Sequence, residues 1–480
     1  MRCTPVIYIL LFLLASTSMY SCKKEQLLTS GGQVTFSVDT LTFDTVFTSR
    51  GNVTASIKIY NPQNQAIKLS SVGLLKGASS YFDINVNGTP GNTVSDVDIA
   101  AKDSIYVFAT VSIDPTNQNT PFLVTDELVA NLNGREYKLP LRAFGQNAHY
   151  IVDSVLKTQT WLTDKPYVIF RNALVEEGNT LTIPAGCRVY VSANSRLFIE
   201  GTLRVNGTKT DSVVFQGDRL DRKYFGNEGY PGEWGGFYFT SKSRNSELRY
   251  AILRNCGNST SLGEGTFTPA AIQVNIDTIN DNNYQLRMYN TIIENSIGYG
   301  LLAFSSTVYA ENCLINACGA QAFAAFEGGG YDFFNCDFII YGDNKISHID
   351  NPTVALLNYR DIDNVSYVSG PLRASMTNCI VWGSLENELF TRSKGTGTYD
   401  VTLNNCLIRL KETLPAEVKA NNNILNQDPN FTDHKNWNFR LKSGSPAINA
   451  GITPPAPVVI NRDLDDKARD VQIDIGCYEF

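Results

Sequence analysis

The stretch Leu286-Arg-Met-Tyr-Asn-Thr-Ile-Ile293 has four counterparts further along the chain. They are Val308-Tyr-Ala-Glu-Asn-Cys-Leu-Ile315, Tyr331-Asp-Phe-Phe-Asn-Cys-Asp-Phe338, Ala374-Ser-Met-Thr-Asn-Cys-Ile-Val381 and Val401-Thr-Leu-Asn-Asn-Cys-Leu-Ile408. Aligned on Asn290, Asn312, Asn335, Asn378 and Asn405, the segments lie 22, 23, 43 and 27 residues apart, the long gap holding a loop or an extra coil. All fifteen positions four before, two before and three after the asparagine are apolar. In a chain that is 43% hydrophobic, that agreement has a chance frequency on the order of one in a few hundred thousand. Apolar residues fall on even offsets before the asparagine and odd offsets after it, so the alternation changes phase there, as it does where a strand turns a corner. A coil of this length that buries one face of each strand gains stability only by stacking on the next coil, which is the logic of a parallel β-helix. The asparagines are therefore read as a structural column, their amides hydrogen-bonding up and down the stack at about 1 kcal/mol net each.

The residue after each asparagine is Thr291, Cys313, Cys336, Cys379 or Cys406. Parallel side chains offset by about 4.8 Å per rung do not converge on a metal and sit too far apart for good disulfide geometry, so buried reduced thiols are expected. Pairing of Cys187, Cys256, Cys318 and Cys477 is left open.

Upstream, Asn172 to Gly217 reads as the first coils, with Gly178, Gly186, Gly201 and Gly207 at turns, and continues into Tyr230-Pro-Gly-Glu-Trp-Gly-Gly-Phe-Tyr-Phe239. The region from about 150 to 430 resembles the right-handed parallel β-helix proteins of the pectin-lyase-like superfamily. Its Trp234-Gly-Gly-Phe237 resembles a segment that recurs in lipoproteins of Bacteroidota-type bacteria. Gly444-Ser-Pro-Ala-Ile-Asn-Ala-Gly451 and Asp474-Ile-Gly-Cys-Tyr-Glu-Phe480 resemble the closing domain called choice-of-anchor Q. Such a domain is expected to cover the open edge of the last rung.

From Val34 to Gly145 short alternating runs are separated by Asn-Pro, Asn-Gly and Asp-Pro turns: Val34 to Phe47, Val53 to Tyr60, Ile67 to Leu74, Phe82 to Val86, Ile105 to Ile113, Leu128 to Leu132 and Tyr137 to Phe144. That is the pattern of a β-sandwich of seven or so strands. Leu41-Thr-Phe-Asp-Thr-Val46, followed by a strand ending at Asn61-Pro62, resembles the abnormal-spindle type of immunoglobulin-like domain, and the segment has no cysteine.

Ahead of it, Arg2, the apolar run Val6 to Ala15 and the small residues before Cys22 read as a secretory signal too short to span a membrane. The pattern resembles a bacterial lipoprotein signal, which implies lipidation of Cys22 and anchoring in the outer membrane of the cell envelope. The expected organisation is a signal at 1–21, a polar tether at 22–33, an immunoglobulin-like β-sandwich at 34–147, a right-handed parallel β-helix at 148–430 and a capping segment at 431–480. At 480 residues the chain exceeds one ordinary core. Lys+Arg 40 against Asp+Glu 47, a net charge of -7, gives no basic footprint, so nucleic acid is excluded as an expected partner.

Enzymes with this fold include pectate lyases and polygalacturonases, but function must be argued from a site. Of the Asn-Thr-Asp, Asp-Asp and Gly-His-Gly motifs a polygalacturonase displays, the first and last are absent and Asp465-Asp466 lies outside the coils. A lyase needs a base beside a cation held by carboxylates, for which Asp277 with Asp281, and Asp361 with Asp363 near Arg360 and Lys345, are the candidates. Both pairs sit in Asn/Asp-rich loops where solvated turns are the default, so Ca2+ has no other support and no cofactor is read. His149, His348 and His434 are isolated in the sequence.

Binding ranks above catalysis. Tyr224, Phe225, Tyr230 and Trp234 cluster ahead of one strand, and Tyr224, Tyr230 and Trp234 are the candidates for stacking on sugar rings, with packing of an inter-coil loop as the alternative for Trp234 and Phe237. Six Asp-Ser/Thr-aliphatic tripeptides, at Asp39, Asp44, Asp103, Asp153, Asp211 and Asp277, resemble the O-glycosylation sequence of Bacteroidota exported proteins. The expected role is binding or adhesion toward a polysaccharide or surface protein, with cleavage of acidic polysaccharide as the alternative.

Overall fold

The computed structural model describes residues 26–48, 54–116, 119–220, 229–262, 265–277 and 283–480, so the signal segment and Cys22 lie outside the described residues. The chain divides into two compact units, Met1–Asn147 and Ala148–Phe480.

The first unit is a β-sandwich of two five-stranded sheets. One runs Thr35–Phe36, Ala55–Tyr60, Ser104–Val111, Phe82–Val86, Thr89–Pro90; the other runs Leu41–Phe47, Arg135–Gln146, Phe122–Leu132, Ile67–Leu74, Thr93–Ile99. Every pairing is antiparallel except that of Leu41–Phe47 with Arg135–Gln146. Alternate residues such as Ile57, Ile59, Val107, Ala109, Leu128, Ala130, Leu139 and Leu141 fill the space between the sheets. The Asn-Pro turn has a physical reason: the buried Asn61 amide donates to Gln65 O and Ala100 O, both at 2.8 Å, tying two connections together. The expected run Val34 to Phe47 divides into two strands that belong to different sheets. Thr93–Ile99 escaped the sequence because only Val97 and Ile99 of its residues are buried.

The second unit is a parallel β-helix, a continuous 26-stranded sheet whose pairings are all parallel. The aligned repeats stack in register, Leu286 on Val308, Val308 on Tyr331, Tyr331 on Ala374 and Ala374 on Val401. All fifteen apolar positions are at most 1% exposed and belong to one continuous interior cluster. The 43-residue gap holds a loop, because Phe333 still pairs directly with Met376. The inserted residues include the two-stranded excursion Tyr359–Asp361 with Tyr367–Ser369.

At the corners, Asn290, Asn312, Asn335, Asn378 and Asn405 all adopt left-handed backbone, φ 49°, 49°, 50°, 55° and 47°. Asparagine tolerates that conformation better than other residues with a Cβ, which is why the phase of the alternation changes there. The next residue serves one repeated bond. Thr291 Oγ1 donates to Tyr289 O at 3.1 Å, and Cys313, Cys336, Cys379 and Cys406 Sγ point at the corresponding carbonyls at 3.3–3.5 Å. The eight described cysteines are buried and free.

Two expectations need correction. The corner amides do not chiefly stack on one another: only Asn378 donates to another member of the column, Asn335 Oδ1 at 3.2 Å. All five bond to the C-terminal segment, which does not sit over the last rung but runs along the side of the stack. Asn405 Nδ2 donates to Ala450 O at 3.0 Å, Asn378 to Ile452 O at 2.7 Å, Asn312 to Arg462 O at 2.7 Å, Asn290 to Asp463 O at 3.0 Å and Asn335 to Asp474 O at 3.1 Å. This strap also covers an apolar flank of the coils, where Ile475, Cys477 and Tyr478 pack with Leu314, Ile339, Ile380 and Leu407. A lateral strap serves better than an end cap here, since corner amides with no stacked partner need carbonyls and the strap backbone supplies them.

Candidate functional site

The aromatic cluster expected ahead of Phe237 does not form a binding surface among the described residues. Tyr224 and Phe225 lie outside them. Trp234 is 0% exposed, packs against Phe237 with ring centroids 5.8 Å apart and donates its indole N–H to Arg254 O at 3.0 Å. It is a core residue with no ring face left for a sugar, and only Tyr230 is exposed.

The acidic candidates are turn and ion-pair residues. Asp363 accepts from Val365 N at 2.8 Å and Ser366 N at 2.6 Å, Asp361 pairs with Lys394 at 2.6 Å, and Arg360 bonds Glu327 at 2.5 Å. Lys345 donates to Gly229 O at 2.9 Å. Asp277 pairs with Arg244 at 3.6 Å, and Asp281 lies outside the described residues. His149 meets Asp164 at 2.7 Å, His348 is buried against Glu388 at 3.0 Å, and His434 stacks on Tyr341 at 4.3 Å. Among the described residues no three His, Cys, Asp or Glu side chains are grouped to hold a metal.

A different surface has the makings of a site. It lies on the outer face of the same strands whose inner residues define the repeat. Three and one positions before each asparagine, the side chains point outward: Arg287 and Tyr289, Tyr309 and Glu311, Asp332 and Phe334. Tyr289, Tyr309 and Phe334 form a ladder across three successive rungs, with centroids 5.9 Å and 5.7 Å apart, and Tyr284 joins it 5.3 Å from Tyr309. The Arg249 guanidinium lies 3.9 Å above Tyr289 and that of Arg287 5.1 Å from Tyr284. Opposite the ladder, the strap residues Pro455 to Val459 make the second wall of an open groove of about 540 Å³.

The polar groups of this groove are fixed before any ligand arrives. Arg373 grips Asp332 through two bonds of 2.7 and 2.6 Å, and the Tyr284 hydroxyl donates to the same carboxylate. Burial, then the bond to Asp332, pushes the Tyr284 phenol up to about 12, so it remains a donor. Tyr309 donates its hydroxyl to Glu311, and burial raises Glu311 above the usual carboxylate range. No protein-family model and no curated protein matches this chain. What the groove can do must therefore be taken from its own chemistry. The half-buried Tyr289 and Tyr309 offer ring surface beside oriented donors and acceptors, with the buried Phe334 packed behind Tyr309, a combination that recognises a ligand with one apolar and one hydroxyl-bearing side.

A smaller groove of about 410 Å³ is lined by Phe198, Tyr238, Phe267, Glu200 and Asp153. Its rings pack on each other, tilted or edge to face, with centroids 4.9–5.5 Å apart.

The sequence already held the signal for the larger groove. The outward offsets are the complement of the apolar ones, and Tyr289, Tyr309 and Phe334 occupy them on consecutive repeats. The strap wall had no comparable signal.

Proposed function

We propose that this protein is a cell-envelope lipoprotein with a non-enzymatic role, binding glycan in the groove between the Tyr289–Tyr309–Phe334 ladder and the strap. The ladder carries the reading: three half-buried or buried rings on successive rungs, with hydroxyl-seeking groups already oriented around them. In this reading Cys22 bears the lipid and tethers the chain to the outer membrane. The coils are those of the pectin-lyase-like superfamily, the sandwich an abnormal-spindle-type immunoglobulin-like spacer and the strap a choice-of-anchor Q segment. The quoted sequence motifs support those assignments.

A glycan array probed with the purified protein tests the binding role. Tyr309→Ala is expected to weaken the best ligand by about tenfold or more, the value of one lost aromatic stack. Retention of full affinity by that variant would remove the groove as the site. Incubation with acidic polysaccharide is expected to release no unsaturated or reducing ends. For the anchor, palmitate labelling lost in Cys22→Ser is the expected result.

A further inference from the structure

The face that carries the groove continues past Phe334. At the same outward positions the following rungs carry Ser375 and the buried Thr377, then Thr402 and Asn404, then Lys419 and Asn421. From Leu286–Tyr289 to Val418–Asn421 the face covers six rungs, a track of roughly 24 Å at the usual strand spacing. Its first half carries the rings, and its second half offers the hydroxyls of Ser375 and Thr402 and the amides of Asn404 and Asn421, each able to donate and accept, beside the ammonium of Lys419. Asn421 Nδ2 already donates to Asn404 Oδ1 at 2.8 Å, which holds two of those amides in line.

The charges along the track are matched in place. Glu247 meets Arg249 at 2.5 Å, Asp332 meets Arg373 at 2.6 Å and Asp400 meets Lys419 at 2.7 Å. Glu311 is held by the Tyr309 hydroxyl, and its burial favours the uncharged form. Arg287, set over Tyr284, has no carboxylate at ion-pair distance among the described residues. With the other cations of this face already paired to carboxylates, the described residues offer a polyanion a single unmatched guanidinium rather than the run of unpaired cations it would need. An uncharged chain of hydroxylated rings needs no such run.

Resting on the glycan-binding reading above, we infer that this face takes a neutral, linear glycan laid along the axis of the coil stack, one sugar to about one rung. The aromatic half stacks on the sugar rings at one end. The Ser/Thr/Asn half bonds the hydroxyls of the remainder.

Calorimetry on the full chain tests this with cellohexaose, xylohexaose, mannohexaose and laminarihexaose, their disaccharides, and hexagalacturonate as the charged counterpart. At least one neutral hexamer is expected to bind about tenfold tighter than its disaccharide, with an affinity indifferent to added salt. Tyr309→Ala is expected to weaken both lengths. Thr402→Glu, a change at a half-buried outward position, is expected to bring the hexamer down to the affinity of the disaccharide. Preference for hexagalacturonate with salt-sensitive binding, affinity independent of length, or an unaffected hexamer in Thr402→Glu would each overturn the inference while leaving glycan binding in place. Failure of every sugar to bind would sink the glycan-binding reading itself.

Discussion

Five asparagines hold left-handed backbone at consecutive corners, and each also feeds an amide proton to a carbonyl outside its own strand. The two roles can be separated at Asn405. Asn405→Ala loses the bond to Ala450 and keeps the left-handed strain, for a cost of about 2 kcal/mol; Asn405→Gly loses only the bond, for about 1 kcal/mol. Denaturant unfolding of the two variants measures the difference, and equal losses would mean that the backbone conformation contributes nothing. Trp234 gives a second residue-scale expectation. Its complete burial predicts a loss of about 3–5 kcal/mol for Trp234→Ala with sugar affinity of the folded protein unchanged. The sequence showed an aromatic side chain ahead of a strand but not the face on which it lands, since nothing repeats at that position to fix its phase. The asparagine column was legible because sterics admit few residues at left-handed φ; the partner of each amide was not, because a backbone carbonyl is common to all residue types. Asp337 adds a pH dependence. Burial pushes its carboxyl up to about 7, against bonds from Cys477 N–H and Sγ that pull it down. A folded-state value above the unfolded one means that the protonated group's contribution is complete below the ordinary carboxylate range and is lost as pH rises through about 7. Asp337→Asn is therefore expected to gain stability relative to the parent between about pH 5 and about pH 8, by at most roughly 4 kcal/mol. Parallel melting curves across that range would count against the buried carboxyl.

Among the elements, the coils owe their placement to the pattern that made them readable. A strand whose alternate residues enter a shared interior cannot slip by one position without turning that set outward, so register followed from burial alone. The β-sandwich was legible for the same reason wherever both faces differed, and Thr93–Ile99 was missed where they barely do. The strap obeys no such rule. From Ser443 to Phe480 it has no regular strand, and its hold on the coils comes from backbone carbonyls, a few buried charges such as Arg469 with Glu479 at 2.9 Å, and scattered apolar residues. Short irregular contacts of that kind have no period to detect. An element-scale prediction follows from the apolar flank beneath it. Removal of residues 445–480 takes Ala447, Leu464, Ile475, Cys477 and Tyr478 out of the cluster that holds Leu314, Ile380 and Leu407, with a loss on the order of 10 kcal/mol at the usual value of burying such side chains. The truncated chain is expected to bind a hydrophobic dye and to aggregate, and a soluble truncation with unchanged melting temperature would show the strap to be dispensable.

For the molecule as a whole, the coil stack has both its binding face and its fastening on surfaces that meet at the same corner: the ladder lies just before the asparagines and the strap just beyond them. Loosening the strap should therefore change sugar affinity even where no groove residue is touched. Asn312→Ala, which removes the tie at Arg462 beside the loop Pro455 to Val459, is expected to weaken binding severalfold, by roughly 1 kcal/mol, in titrations under conditions where the variant stays folded. Unchanged affinity would mean that the second wall takes no part in recognition. The strap has one more consequence, and it concerns synthesis. Residues 450–476 follow in sequence every coil they fasten, so coils that stack ahead of them present bare corner amides and a greasy flank until the strap docks. Those are marks by which chaperones and proteases recognise unfinished chains. Once residues 450–476 dock, both are concealed, so the seam itself reports that the coils have been fastened.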